Sequence, residues 1–155
     1  TVSEDLQITK EYLRIQLIRY GDRLRVEYDV DERIMDCRIP AMTLQPLVEN
    51  ALYHGLNYCT TGDTITIRAY TENNCLMIDV HDNGQGMDIE TLTKLQSSLM
   101  EEASFTELGH RNKQSIGLKN IHSRIELYYG KGYGLTVTSR QNEWTNVQIR
   151  LPILK

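Results

Sequence analysis

Two short stretches carry residue types that packing alone does not require. Residues 44–55 read Leu-Gln-Pro-Leu-Val-Glu-Asn-Ala-Leu-Tyr-His-Gly, and residues 82–87 read Asp-Asn-Gly-Gln-Gly-Met. Asn50 places a hard amide oxygen in an apolar helix, the donor type suited to Mg²⁺, which keeps several waters and takes few protein ligands. At helical spacing it shares a face with Leu47 and His54, while Glu49 sits about 100° round. Asp82 follows the run Leu76-Met77-Ile78-Asp79-Val80, so its carboxylate stands where a strand meets a turn. A buried carboxylate there can accept a hydrogen bond from the 6-amino group of adenine, where guanine presents a carbonyl. Gly84 and Gly86 leave room for backbone to approach a flat base and allow positive φ. Each stretch alone has a plainer reading: two polar residues on a partly exposed helix, and an ordinary Asp-Asn-Gly turn. Together, 32 residues apart with a hairpin between them, they point to a site for an adenine nucleotide and its metal ion. A third stretch, Ser115-Ile116-Gly117-Leu118-Lys119-Asn120, opens a helix with small residues whose free N–H groups and positive dipole end suit phosphate.

The elements that must hold these residues follow from hydrophobic periodicity. Leu6, Leu13, Leu17, Tyr20 and Leu24 fall near one helical stripe, widened by Tyr12 and Ile15, and Gly21-Asp22 ends that helix. Alternation over 24–30 predicts a strand with one buried face. After a turn at Asp31-Glu32, Ile39-Pro40 leads into a helix over about 41–54, which Gly55 ends. Residues 60–63 read as loop, and 64–70 and 75–81 as strands joined at Glu72-Asn73-Asn74. Asp88 opens a helix near 88–98. Residues 99–115 have weak periodicity and read as a mobile lid. A helix over 116–129, broken by Gly130, Gly132 and Gly134, and a hairpin of strands 135–139 and 144–151 complete the chain. Hairpin strands interrupted by helices predict an α+β two-layer sandwich in place of a doubly wound parallel sheet.

Composition narrows the function classes. A chain of 155 residues, 40% apolar and 25% charged, is expected to form one domain with a continuous core. A net charge of −4 gives no electrostatic case for nucleic acid, and Arg14, Arg19, Arg23 and Arg25 are interleaved with acids as on a solvated face. Cys37, Cys59 and Cys75 form no CxxC pair, which argues against structural zinc or a disulfide framework and for a reducing, cytoplasmic setting. There is no apolar run near 18 residues, so no direct membrane contact is expected. The chain opens inside an apparent helix with no initiating methionine, as expected of a fragment whose upstream part is membrane-bound.

Residues 44–55, 82–87 and 116–130 resemble the N, G1 and G2 boxes of the GHKL ATP-binding superfamily. Within it, the chain is most similar to the catalytic domain of LytS-like bacterial sensor histidine kinases. The opening Tyr12-Leu13-Arg14-Ile15-Gln16, the helix from Gly117 through Arg124 to Tyr129-Gly130, and the ending from Thr145 to Leu151-Pro152 carry the likeness to that subgroup. The resemblance implies a Bergerat-type fold, a mixed, mostly antiparallel sheet with helices enclosing ATP. It implies that Asn50 binds Mg²⁺, that Glu49 assists proton removal from an attacking histidine, and that Asp82 binds adenine. Gly84 and Gly86 would line the base, Gly117 and Leu118 would border the phosphates, and His54, Met87, Lys113, Ser115, Ile116 and Thr145 would complete the nucleotide contacts. Residues 1–22 would lead from a dimerisation and phosphoacceptor segment, with 23–155 as the ATP-binding domain. The implied partners are that segment and a response regulator, with the intact protein a homodimer.

Departures from the family pattern are specific. Hydrolytic relatives such as gyrase place a water-activating glutamate four residues before the metal asparagine; Pro46 stands there, favouring phosphoryl transfer to a protein histidine over hydrolysis. Tyr53 replaces a frequent lysine, and Ser115 and Lys113 replace glycines, which stiffens the lid. His54, His81, His110 and His122 all lack the Pro-His-Phe surroundings of the subgroup's acceptor. Two other functions share these boxes: a regulatory module that has lost catalysis, and an anti-sigma-type serine kinase, which would not be expected to begin with this helix.

Overall fold

The computed structural model describes residues 1–56, 62–101 and 113–155, with side chains from 117 onward in the last stretch. Helix α1 (Val2–Tyr20) opens with a capping box, in which the Thr1 hydroxyl accepts from the Glu4 N–H at 3.3 Å. Its buried stripe is Val2, Asp5, Leu6, Thr9 and Leu13, the three-and-four spacing of one helix face. Ile15, expected to widen that stripe, is 65% exposed. Two residues beyond Leu13 it lies about 200° round the helix and faces away from the core.

Strand β1 (Leu24–Val30) pairs in parallel with β2 (Asp63–Glu72), which pairs antiparallel with β3 (Cys75–Asp82). Strands β4 (Gly134–Arg140) and β5 (Trp144–Pro152) form the second hairpin, and β5 joins β3, giving the order β1-β2-β3-β5-β4. The single parallel pair requires a crossover between β1 and β2. Helix α2 (Leu44–Asn50) lies in that crossover. In the β2–β3 hairpin, Asn73 and Asn74 both take positive φ, 48° and 60°, as a two-residue turn with the twist of its strands demands. Glu72, expected in the turn, ends β2 instead.

One face of the sheet is apolar. Val80 stands between Ile67 and Val147, Ile78 between Ala69 and Ile149, and all are buried. Helices α2, α3 (Ile89–Met100) and α4 (Lys113–Tyr129) pack on this face through residues such as Leu47, Leu95, Leu118, Ile121 and Ile125, and Leu6 and Leu13 of α1 join the same core. The architecture is the expected α+β pairing of one mixed sheet with a helical layer. Leu127, expected among the apolar residues of the last helix, is 84% exposed. It sits about 200° from Ile125 on the solvent side.

The expected lid over 99–115 is shortened at both ends by helix. Leu99 continues the Leu92–Leu95 stripe of α3 and is buried, so that helix runs on to Met100. Helix α4 begins three residues before the expected start at 116; residues 102–112 and Cys59 lie outside the described residues. Cys37 and Cys75 are buried free thiols. No described helix is long and apolar enough to cross a membrane.

Candidate functional site

Helix α2 starts at Leu44, later than the expected 41, because Met42 turns through a left-handed φ of 58° before it. Pro46 lies in the first turn, where its missing N–H breaks no intrahelical bond. Beyond Asn50 the coil widens into a π-turn, Ala51–Gly55, closed by Leu56 N–H donating to the Ala51 carbonyl at 3.0 Å. Such π-turns recur at functional sites.

Asp82 ends β3 on the apolar face, two residues after Val80, so the pleat turns its carboxylate under the helices. It stands between Ile65 and Thr145 and is 2% exposed. Burial pushes its pKa up to about 6, opposed by the Gly84 N–H that donates to Oδ1 at 3.0 Å. A carboxylate with so little internal solvation has unused acceptor capacity.

The glycine turn is fastened to the end of α2. The Gln85 N–H donates to the Gly55 carbonyl at 2.8 Å, and Gln85 Nε2 donates to the His54 carbonyl at 2.6 Å. Gly55 and Gly84 permit this contact: a Cβ on Gly55 would overlap the Asp82 carboxyl, and one on Gly84 the Gly55 carbonyl. Gly86 takes a φ of 60° with no room for a Cβ beside the Arg140 carbonyl. Of the two turn glycines, both expected to allow positive φ, Gly86 alone adopts it, and Gly84 lies against the Gly55 carbonyl. Beyond the turn, Met87 N–H donates to Ser139 Oγ at 2.8 Å, and that hydroxyl lies 3.0 Å from Thr145 Oγ1.

These contacts enclose a cleft of about 360 Å³. Of the residues singled out from sequence, Asn50, His54, Asp82, Gly86, Met87 and Thr145 line it together. Asn50 is 8% exposed, and its Oδ1 is buried without a hydrogen-bond partner. An orphaned amide oxygen normally costs stability, and on a residue that lines a polar cleft it suits a cation or donor from outside the chain. Among the described residues no three of His, Cys, Asp and Glu gather as a metal cluster. The donor set therefore fits an ion held by one side chain, water and a polyanion, and does not fit an all-protein cage. Burial lowers the His54 pKa, favouring its neutral ring.

Other expected residues stand apart from this wall. Glu49 is half-buried one position round α2, and its carboxylate accepts from Gln45 Nε2 at 2.9 Å. Gly117 is on the exposed side of α4, with open space where a Cβ would go, and Leu118 is in the core instead of at the cleft. Lys113, Ser115 and Ile116 belong to the opening turn of α4, and their side chains lie outside the described residues. Sequence reading missed Gln85, Asp88 and Thr91, and also Gln141 and Asn142. The first three sit in or just after the glycine turn. The other two come from the β4–β5 turn, where Asn142 N–H donates to the Gln85 carbonyl at 2.6 Å, and only the strand order brings them there.

The two other described histidines, His81 and His122, do not line the cleft. His122 is buried and accepts the Leu135 N–H on Nδ1 at 2.9 Å, while His81 stacks on Trp144 with ring centroids 5.7 Å apart. His110 lies outside the described residues.

Comparison with known proteins gives a consistent picture. Sensor histidine kinase YesM of Bacillus subtilis (strain 168) is 35% identical over 152 residues, 98% of this chain and 24% of that protein. Sensor histidine kinase YpdA of Escherichia coli (strain K12) is 37% identical over 131 residues, 84% of this chain and 21% of its own. The chain thus spans about a quarter of the length of these curated relatives. In fold it resembles the nucleotide-free catalytic domain of histidine kinase ThkA, with a TM-score of 0.64 at 14% identity over 97% of this chain and 91% of that one. It also resembles the blue-light activated histidine kinase of Erythrobacter litoralis EL346, with a TM-score of 0.63 at 17% identity over 98% of this chain and 42% of that one. The family profile described as histidine kinase-, DNA gyrase B- and HSP90-like ATPase matches residues 40–155, and the chain belongs to that family.

Proposed function

We propose that this chain is the ATP-binding catalytic domain of a sensor histidine kinase, which transfers the γ-phosphoryl group of ATP to a histidine on a separate dimerisation segment for relay to a response regulator. The observation that carries the reading is the pairing, in one cleft, of a buried acceptor-only carboxylate at Asp82 with an orphaned amide oxygen at Asn50. Ionised Asp82 accepts from the adenine 6-amino group and disfavours guanine, whose carbonyl would face a carboxylate. Asn50 would be the side chain that holds Mg²⁺, an ion that takes few protein ligands. The ion supplies charge neutralisation at the transferred phosphoryl group.

The chain's own residues do the rest by placement. Gly86 and Met87 shape the wall against the base, Thr145 stands opposite Asp82 in the sheet, and His54 borders the cleft beside Asn50. Glu49, adjacent in sequence to Asn50, takes the proton from the attacking histidine of the acceptor segment. Pro46 leaves no general base for water four residues before Asn50, which favours transfer over hydrolysis. Lys113, Ser115, Ile116 and Gly117, at the start of α4, border the phosphates when nucleotide is bound, and Leu118 anchors that turn in the core. The parent protein is a membrane-bound homodimer with this domain on its cytoplasmic side, and α1 is the connection from its dimerisation segment.

Titration calorimetry of ATP, ADP and GTP, with Mg²⁺ and with chelator, tests the reading. ATP and ADP should bind, GTP at least about tenfold more weakly, and ATP should lose affinity in chelator. Equal binding of ATP and GTP would remove the adenine assignment.

A further inference from the structure

The start of α2 is held by side chains from two other helices and by none of its own. The Asp5 carboxylate of α1 is 5% exposed and accepts three consecutive backbone N–H groups, from Met42 at 2.7 Å, Thr43 at 3.1 Å and Leu44 at 2.7 Å. From the other side, Arg124 Nη2 of α4 donates to the Met42 carbonyl at 3.3 Å and to Thr43 Oγ1 at 3.4 Å, and Arg124 Nε is buried without a partner. Thr43, at the N-cap position, makes no side-chain cap; its hydroxyl donates to the Pro40 carbonyl at 2.5 Å. A negative charge at a helix N-terminus satisfies donors that nothing else in the helix can reach.

We propose that Asp5 and Arg124 are positioning residues for the nucleotide cleft, through which α1 and α4 together set where Asn50 and Glu49 stand. The inference rests on the nucleotide-binding reading above. Asn50 is six residues beyond Leu44, about 9 Å along a helix that transmits displacement with little slack. Its other end is fixed to the glycine turn through Gly55 and His54, so α2 is a short rod held at both ends. Shifting the Asp5 end tilts the rod about the Asp82 end. Asn50 then moves relative to the phosphates while the base pocket around Asp82 stays in place. Movement of α1 therefore reaches the metal-binding side of the cleft before the adenine side.

The test compares wild type, Asp5→Asn and Arg124→Gln in the 155-residue chain, by calorimetry with Mg²⁺-ATP and with adenosine, and by NMR of the Asn50 side-chain amide without nucleotide. Each variant should weaken Mg²⁺-ATP by about tenfold and adenosine by less than about twofold, and should shift the Asn50 amide resonance. Equal losses for both ligands would mean general loosening and would overturn the proposal, as would an unmoved Asn50 resonance. If Asp5→Asn does not fold, Arg124→Gln, whose contacts are longer, decides alone. If wild type binds neither ligand, the nucleotide reading fails, and the Asn50 resonance still decides whether Asp5 and Arg124 set its position.

Discussion

Gly55, the last residue of the π-turn, lies against the carboxyl group of Asp82 so closely that a Cβ at position 55 would occupy the space of the carboxylate. The two stretches singled out from sequence are thus in contact, and the contact fixes how the end of the Asn50 helix sits against the Asp82 turn. Gly55→Ala should displace Asp82 and its turn, destabilise the fold by about 1–3 kcal/mol as overpacking does, and weaken adenosine binding. Chemical denaturation and adenosine titration of the variant check both effects.

Protonation of Asp82 gives a prediction with a definite sign. Its pKa stands at about 6 in the folded chain, above the ordinary 3.8, and under the proposed function the ionised form is the stronger acceptor for the adenine amine. Adenosine affinity should be level above about pH 7 and fall towards about tenfold per unit below pH 6. Asp82→Asn should remove that dependence. Adenosine is the proper probe, since it lacks phosphates that titrate in the same range.

The same shift acts on stability in the opposite sense to that of a salt-bridged acid. A folded value above the unfolded one means that the folded chain binds the proton more readily. The burial of ionised Asp82 therefore costs stability fully above about pH 6, and the cost is relieved as pH falls from about 6 to about 4. Relative to Asp82→Asn, wild type should gain about 2 kcal/mol of stability between about pH 7.5 and pH 4.5, the rest of the shift being expressed only below the unfolded value. Urea denaturation of both proteins at pH 4.5 and pH 7.5 measures it.

Asn50 should separate metal handling from base binding. Asn50→Ala should abolish phosphorylation in the intact kinase and remove the Mg²⁺ dependence of ATP binding, while adenosine affinity stays within about threefold of wild type. Persistent ATP turnover in the intact variant would refute the metal role of Asn50.

By itself this chain should not become phosphorylated on histidine, because placement supplies most of the catalysis of phosphoryl transfer. His122 is buried with Nδ1 engaged, and His81 stacks on Trp144. Incubation with labelled ATP should leave no acid-labile label; rapid labelling of the isolated chain would contradict the assignment of the acceptor to another segment.

How much of this was legible in the sequence depended on how local the cause was. Asp82 at a strand end is readable from the run before it, and that it turns inward follows from Val80 two residues earlier. Asn73-Asn74 announces its own turn. The roles of Gly84 and Gly55 were not readable, because each is defined by the other across the fold. Asp5 is one of two acidic residues in the first turn of α1, a commonplace of sequence, yet it accepts hydrogen bonds from Met42, Thr43 and Leu44, 37 to 39 residues away. Gln141 and Asn142 reach the cleft only because β5 inserts beside β3, a pairing that no local pattern encodes. Ile15 and Leu127 were misplaced because apolar character was given more weight than angular position on the helix.

The most direct test is calorimetric titration of Mg²⁺-ATP into wild type and Asp82→Asn under identical conditions at pH 7.5. The substitution presents a donor where the adenine amine needs an acceptor. Affinity should fall by about 30- to 150-fold, corresponding to about 2–3 kcal/mol for a charged hydrogen bond lost in a buried site. Equal affinities for the two proteins, with Asp82→Asn folded by circular dichroism, would contradict the claim that this cleft reads adenine through Asp82.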